Sequence, residues 1–265
     1  MIGPLAVFRH GCPYFNSEEG TRLSIHTDPA SWTRLKPVRR TRAVLQTAIL
    51  FPTLNSFCQL KVHGRERIKG LRGAAVFVAN HTSALDGIVM VEALPPRYRH
   101  RSVVVAASDS IFKRKWEAAL ARVAVNAFPI PRGGGARPAL EQLKALLRKN
   151  WSVVIFPEGR LSVTGAIGTF RKGAAVLAID ADVPIIPAYI DGLYRVLPRF
   201  RRMPHPGSAT VTFGDPLYAS AGEDYDSFIG RVEAAVRQLA GPKGEARDLP
   251  APVGSASAEG PNYWY

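Results

Sequence analysis

Cysteine is nearly absent. Cys12 and Cys58 are the only two among 265 residues, too few for a disulfide framework, so nothing points to an oxidising compartment. Neither has a catalytic neighbourhood, and both read as packing residues. Acids are scarce as well: 21 Asp and Glu stand against 35 Lys and Arg, giving a formal charge of +14 and a pI near 10.2. That excess calls for an anionic partner, either nucleic acid or a phospholipid surface. No uninterrupted apolar run is long enough to span a bilayer securely. The nearest candidate, Ala43 to Leu60, is broken by Gln46, Pro52, Asn55 and Gln59. No signal peptide is expected, because Met1 to Phe8 is too short an apolar stretch and Arg9 and His10 follow it rather than precede it. The chain has no Gly-x-Ser-x-Gly elbow, which disfavours a serine hydrolase, and no Gly-Lys-Ser/Thr, which disfavours ATP. Its histidines lack metal-ligand spacing, so no metal is expected. Internal repeats and heptads are missing too.

What is present is a globular composition, 46% hydrophobic with mean hydropathy of −0.02, in a chain long enough to bury a full core. Residues 1–31 lack periodicity and read as a loose arm, and residues 241–265, rich in Gly, Pro, Ala and Ser, read as a disordered tail. Residues 32–60 form a basic and then apolar segment: Arg34, Lys36, Arg39, Arg40 and Arg42 precede the Ala43–Leu60 stretch. A cationic lead into an amphipathic helix suits a membrane interface better than a span, although the same helix could simply cover the core. Residues 61–240 then form the main domain.

Within it, strand-like and helical patterns alternate. Strand runs are expected near Cys58–Val62, Ala74–Ala79, Ser102–Ala106, Ala127–Ile130, Ser152–Phe156, Pro184–Ile190 and Ala209–Phe213. Helices are expected over Leu85–Ala93, Lys113–Val123, Pro138–Lys149, Lys172–Ile179 and Tyr225–Leu239. The apolar stripe Ala139, Leu140, Leu143, Leu146 and Leu147 opposes Glu141, Lys144 and Arg148, as a surface helix requires. The alternation predicts an α/β fold with a largely parallel central sheet flanked by helices, its site outside the strand ends.

Two of those ends carry chemistry. After the Ala74–Ala79 run comes Asn80-His81-Thr82-Ser83-Ala84-Leu85-Asp86. Asp86 within reach of one imidazole nitrogen would orient His81 and stabilise its cation, leaving the other nitrogen to accept a proton. Ser83 and Asp86 also fit a helix-capping box, and both arrangements can hold together because a carboxylate has two oxygens. After Ser152–Phe156 comes Pro157-Glu158-Gly159-Arg160, a turn with a cation. The loop then runs to Phe170-Arg171-Lys172-Gly173-Ala174, with cations at both ends, and opens a helix. Helix-terminal amides with arginine make a phosphate seat. Phe128-Pro129-Ile130-Pro131-Arg132 leads into another glycine turn, where Arg132 is a second phosphate ligand or a solvated cation. Together these residues point to deprotonation of a hydroxyl on a phosphate-bearing substrate.

Taken in order, the stretches resemble the glycerolipid acyltransferase family that includes 1-acylglycerol-3-phosphate acyltransferases. The His81–Asp86 stretch matches the family's first block, Phe128–Arg132 its second, Phe156-Pro157-Glu158-Gly159-Arg160 its third, and Val183-Pro184-Ile185-Ile186-Pro187 its fourth. Agreement in order and spacing runs from about Thr41 to Pro216. One departure is visible: no threonine separates Gly159 from Arg160, a variant similar to family members acting on lysophospholipids with larger headgroups.

The resemblance implies an O-acyltransferase of phospholipid biosynthesis. It would move a fatty acyl group from acyl-CoA or an acyl-carrier protein to the free hydroxyl of 1-acylglycerol-3-phosphate or a related lysophospholipid. It implies His81 as general base, Asp86 as its orienting acid, and Arg132, Glu158, Gly159 and Arg160 at the acceptor, with amides near Glu158 as candidate oxyanion donors. Cofactors are not implied; the thioester is a co-substrate. The expected location is the cytoplasmic face of a membrane, held peripherally or monotopically. Alternatives are acylation of glycerol-3-phosphate or of a lyso-aminolipid, or a non-catalytic basic module for lipid or nucleic acid. The acid-free Arg195, Arg199, Arg201 and Arg202 stretch supports that module, but no nucleic-acid motif accompanies it.

Overall fold

The computed structural model describes residues 31–108, 115–131, 135–201 and 203–244. The arm expected over 1–31 and the tail expected over 241–265 thus lie almost wholly outside the described residues, as does Arg132. Seven strands form one sheet: β1 (Cys58–His63), β2 (Val76–Ala79), β3 (Ser102–Ala107), β4 (Ala127–Ile130), β5 (Ser152–Ile155), β6 (Ile185–Asp191) and β7 (Gly207–Phe213). Their order is β1-β7-β6-β2-β5-β3-β4, and every neighbouring pair is parallel except β6 and β7. The sheet is therefore largely parallel, with β1 and β7 running against the other five strands.

Ten helices accompany the sheet among the described residues: α1 (Lys36–Leu45), α2 (Phe51–Phe57), α3 (Arg65–Lys69), α4 (Asp86–Ala93), α5 (Pro96–Arg99), α6 (Lys115–Val125), α7 (Arg137–Arg148), α8 (Gly173–Ala181), α9 (Leu193–Val196) and α10 (Tyr225–Ala240). The seven strand runs and five longer helices lie where periodicity put them, within a few residues. The short α3, α5 and α9 carry too few turns to show a period.

Alternation along the central strands explains the layers. Phe77 and Ala79 of β2 face one core with Val104, Val154 and Ile186, covered by Val89 and Met90 of α4 and by Phe51 and Leu54 of α2. Val76 and Val78 face the other, with Val103, Val153 and Ile155, covered by Leu143 and Leu147 of α7, Leu177 of α8 and Val232 and Val236 of α10. Every residue of β2 and β5 is buried, as expected of strands covered on both faces. The link from β2 thus departs to one face and the link from β5 to the other. Between adjacent strands this divergence opens a crevice beyond their carboxyl ends.

The N-terminal segment is helical from α1 through a π-helical stretch, Gln46–Leu50, into α2. Its inward face starts polar. Arg42 and Gln46 are 6% and 2% exposed, whereas Leu35, Val44 and Ile49 are 56%, 62% and 59% exposed. Arg42 donates to the carbonyls of Val123, Thr33 and Arg122, and Gln46 donates to that of Ala124. The Val123 and Ala124 carbonyls in the last turn of α6, which a helix cannot satisfy itself, are thereby capped from outside, while the Arg122 carbonyl also accepts the Asn126 amide. Burial, with Arg39 and Arg34 nearby, pushes the Arg42 guanidinium down to about 10. Among the described residues no helix is long and apolar enough to cross a membrane.

Candidate active site

His81 sits on the turn leaving β2, at the crevice. The turn is tied down on three sides. Asn80 extends the β2–β6 ladder by one side-chain rung, donating to the Ile190 carbonyl at 3.0 Å and accepting from the Ile190 amide at 2.8 Å. The Ser83 hydroxyl donates to the Leu197 carbonyl at 2.7 Å. The Ser162 amide donates to the His81 carbonyl, also at 2.7 Å.

Asp86 opens α4 and is fully buried, with Oδ2 2.8 Å from Nδ1 of His81. The same oxygen accepts the amides of Thr82 at 2.7 Å and Ser83 at 2.9 Å. The sequence suggests one oxygen for the histidine and the other for the cap; here Oδ2 performs both roles, and Oδ1 is buried without a partner among the described residues. Ser83 is not the N-cap: α4 begins three residues later, and the Ser83 hydroxyl accepts from the Leu85 amide instead. Because Oδ2 acts as acceptor to two amides, the hydrogen-bond network assigns the proton to Nδ1. Nε2 then carries the lone pair. The ring lies flat on Phe156, centroids 4.5 Å apart and planes 16° off parallel, and the side chain is 24% exposed. It is thus held in plane yet reachable.

The second strand end closes on the first. Glu158, 7% exposed, accepts the His81 amide at 3.0 Å and also a hydrogen bond from the Gly168 backbone. A Cβ at Gly168 would meet Oε2 at 3.0 Å, so any larger residue there would push the carboxylate back by a few tenths of an ångström. Burial pushes the Glu158 carboxyl up, against the two backbone donors and His81, which hold it down. Its carboxylate therefore splices the β2 turn to the β5 loop.

Gly159 has φ +71°, and a Cβ there would lie 3.2 Å from the Arg171 guanidinium. Its amide donates to the Phe156 carbonyl at 3.1 Å, so this amide closes the turn and is not open to an oxyanion. Arg160 is exposed and makes no hydrogen bond or ion pair among the described residues. Arg171, whose amide bonds the Pro157 carbonyl at 3.0 Å, packs its guanidinium over the same turn. The structure thus unites His81, Asp86, Glu158 and Gly159 and brings Arg171 to them. Asn80 and Phe156 do positioning work that spacing alone does not reveal, since both contacts reach across neighbouring strands.

Beside the His81 turn, between β6, α9 and β7, a cavity of about 590 Å³ is lined by Asp191, Arg195, Ser208 and Thr210 among others. A small hollow bounded by Thr82, Asp191 and Tyr194 lies between the two. Among the described residues no group of three or more His, Cys, Asp or Glu is placed to hold a metal ion.

Comparison with known proteins agrees with this architecture. A 1-acyl-sn-glycerol-3-phosphate acyltransferase of Cocos nucifera is 28% identical over 149 residues, 54% of this chain and 46% of that protein. The beta form from Homo sapiens is 33% identical over 113 residues, 42% of this chain and 39% of that protein. The chain thus spans about half the length, or less, of the curated relatives it matches. In fold it is similar to the crystal structure of the 1-acyl-sn-glycerophosphate acyltransferase PlsC from Thermotoga maritima. The TM-score is 0.58 at 22% identity, covering 82% of this chain and 83% of that one. The acyltransferase family model matches residues 59–191, from β1 through β6 and across both halves of the site. The chain belongs to the acyltransferase family.

Proposed function

We propose that this protein transfers a fatty acyl group from a thioester, acyl-CoA or acyl-carrier protein, to the free hydroxyl of a lysophospholipid. 1-Acylglycerol-3-phosphate is the first candidate acceptor. The observation that carries the reading is the 2.8 Å contact between His81 Nδ1 and a fully buried Asp86. It orients a base whose other nitrogen faces no protein partner among the described residues. Nε2 takes the acceptor's hydroxyl proton as the oxygen attacks the thioester carbonyl carbon. The carbon–sulfur bond then breaks, the imidazolium returns its proton to the departing thiolate, and an ester and a thiol remain. No acyl-enzyme is formed.

Arg160 and Arg171 are the proposed cations for the acceptor's phosphate, together with Arg132, which follows β4 in the sequence. Glu158 and Gly159 serve the acceptor by fixing the loop on which Arg160 and Arg171 stand. The relatives' names support the lysophosphatidate acceptor, while Arg160 directly after Gly159 keeps a larger headgroup in the comparison. For residues 32–60 we propose the membrane interface: Leu35, Val44 and Ile49 face outward from a helix whose Arg42 and Gln46 face inward, the polarity expected where the outer medium is lipid.

The test is acyl transfer by the purified protein and His81→Ala. Acyl-CoA and acyl-carrier protein are the donors, and lysophosphatidate, lysophosphatidylethanolamine and glycerol-3-phosphate the acceptors. His81-dependent product with a lysophospholipid supports the reading. Equal product from His81→Ala removes His81 as the base, and no product with any pair removes the acyltransfer reading for these acceptors.

A further inference from the structure

One basic stretch has no part in the chemistry above. From Gly192 to Gly214 the chain holds Arg195, Arg199, Arg201 and Arg202 and no acid. Within it, the loop after α9 exposes Phe200 at 50% and Met203 at 76%, and Val163 on the β5 loop is 62% exposed. Large apolar side chains interleaved with arginine are costly to keep in water, and they suit a surface that is anionic outside and hydrocarbon beneath.

The loop is anchored at its base. His205 donates its amide to the Val196 carbonyl at 2.8 Å, and the Arg201 amide donates to the Pro198 carbonyl at 3.0 Å. The Tyr194 hydroxyl reaches the Val163 carbonyl at 2.5 Å, and the Tyr194 ring meets Phe200 edge-on at 6.4 Å. Val163, Tyr194 and Phe200 therefore join the β5 loop to the post-α9 loop. The same loop is fastened to the catalytic turn, through the Ser83–Leu197 hydrogen bond and a bridge between Ser83 and Pro198. The base of this loop is thus tied to the turn that carries His81.

We infer that Arg199, Phe200, Arg201 and Met203 of the stretch after α9, with Val163, form a second lipid contact that seats the mouth of the crevice on an anionic bilayer. It is separate from the N-terminal helical segment. The inference takes from the proposed acyl transfer only what the crevice does; the surface itself rests on exposure, charge and anchoring. An enzyme drawing a lysolipid from a leaflet gains by holding its base over the point where the headgroup emerges. Two contacts on different elements fix that orientation, whereas one leaves the protein free to pivot.

The experiment uses the full chain and two double variants, Phe200→Ser with Met203→Ser and Arg199→Gln with Arg201→Gln. Each is first checked by thermal melting against wild type. Co-sedimentation follows, with phosphatidylcholine vesicles with and without phosphatidylglycerol. The apolar pair is expected to lower partition roughly tenfold on both vesicles. The arginine pair is expected to lower it about tenfold on the anionic vesicles and to leave the neutral ones unchanged. Transfer to a vesicle-borne acceptor should fall with partition, while transfer to a monomeric short-chain lysolipid stays at the wild-type rate. Unchanged partition of both folded variants overturns the inference. So does a loss confined to acyl-carrier-protein donors, which would make the loop a dock for an acidic protein. Loop-dependent partition by a protein that transfers no acyl group leaves this inference standing and removes the catalytic one.

Discussion

At the residue scale, the proposed proton transfer is divided between two bonded neighbours. In that proposal His81 moves the proton, and Asp86, 2.8 Å from Nδ1, sets which nitrogen is free to do so. His81→Ala should lower kcat by about 10³-fold with the fold kept, since the side chain is 24% exposed and Asp86 Oδ2 retains the Thr82 and Ser83 amides. Asp86→Asn should cost about 10²-fold in kcat and some stability as well, because Oδ2 also holds the Thr82 and Ser83 amides. Arg160→Ala should chiefly raise the acceptor KM, with kcat kept, if the guanidinium grips a ground-state phosphate; a fall in kcat alone speaks against that role. Glu158 makes a prediction in pH. Burial raises its folded carboxyl above the ordinary value of 4.5, so the folded protein holds this proton more tightly than the unfolded chain does. Its contribution to stability is then largest below 4.5 and declines as pH rises through the raised value. Glu158→Gln, which still accepts from the His81 amide, should melt progressively higher relative to wild type as pH rises from 4.5 through the raised value, in parallel thermal scans. His81, Asp86 and the Glu158 turn were legible in the sequence because they crowd just after strand runs. That Glu158 bonds the His81 amide was not, since a contact spanning 77 residues leaves no local period.

At the scale of elements, the strands and longer helices were readable from apolar alternation and stripe alone, which suffices to put both halves of the site at strand ends; that those strands are neighbours comes from the β2–β5 pairing. The antiparallel step between β6 and β7 was not readable, because apolar patterning reports which side chains are buried and not which way the neighbouring strand runs. The inward polarity of α1 escaped for a related reason. Arginines between apolar residues read as a solvated face until the α6 carbonyls are seen to lie beneath Arg42. Arg42→Met, which keeps the stem and removes the donors, should therefore destabilise the protein by about 3 kcal/mol, or roughly 5–10 °C in Tm. Val44→Ser with Ile49→Ser, on the opposite face, should leave Tm unchanged and weaken vesicle binding by about tenfold.

At the scale of the whole molecule, five strands deliver their carboxyl ends to one edge of the sheet, and the connections diverge there to opposite faces. The net charge of +14 belongs to the whole chain, and a charge of that sign and size favours association with anionic lipid and phosphate alike. Raising salt from about 50 to 500 mM should cut partition onto anionic vesicles by roughly tenfold while leaving a residual apolar component, measurable by co-sedimentation. The capping of α6 by Arg42 and Gln46 carries one further consequence. The segment proposed to touch lipid also closes the carbonyl end of a core helix, so adhesion and architecture share a single piece of chain. Cutting it away to obtain a freely diffusing enzyme would take the Arg42 and Gln46 donors from the Val123 and Ala124 carbonyls at the root of β4. A protein released from the bilayer without losing its shape has to be made by recolouring the outward positions Leu35, Val44 and Ile49, with the inward ones left alone.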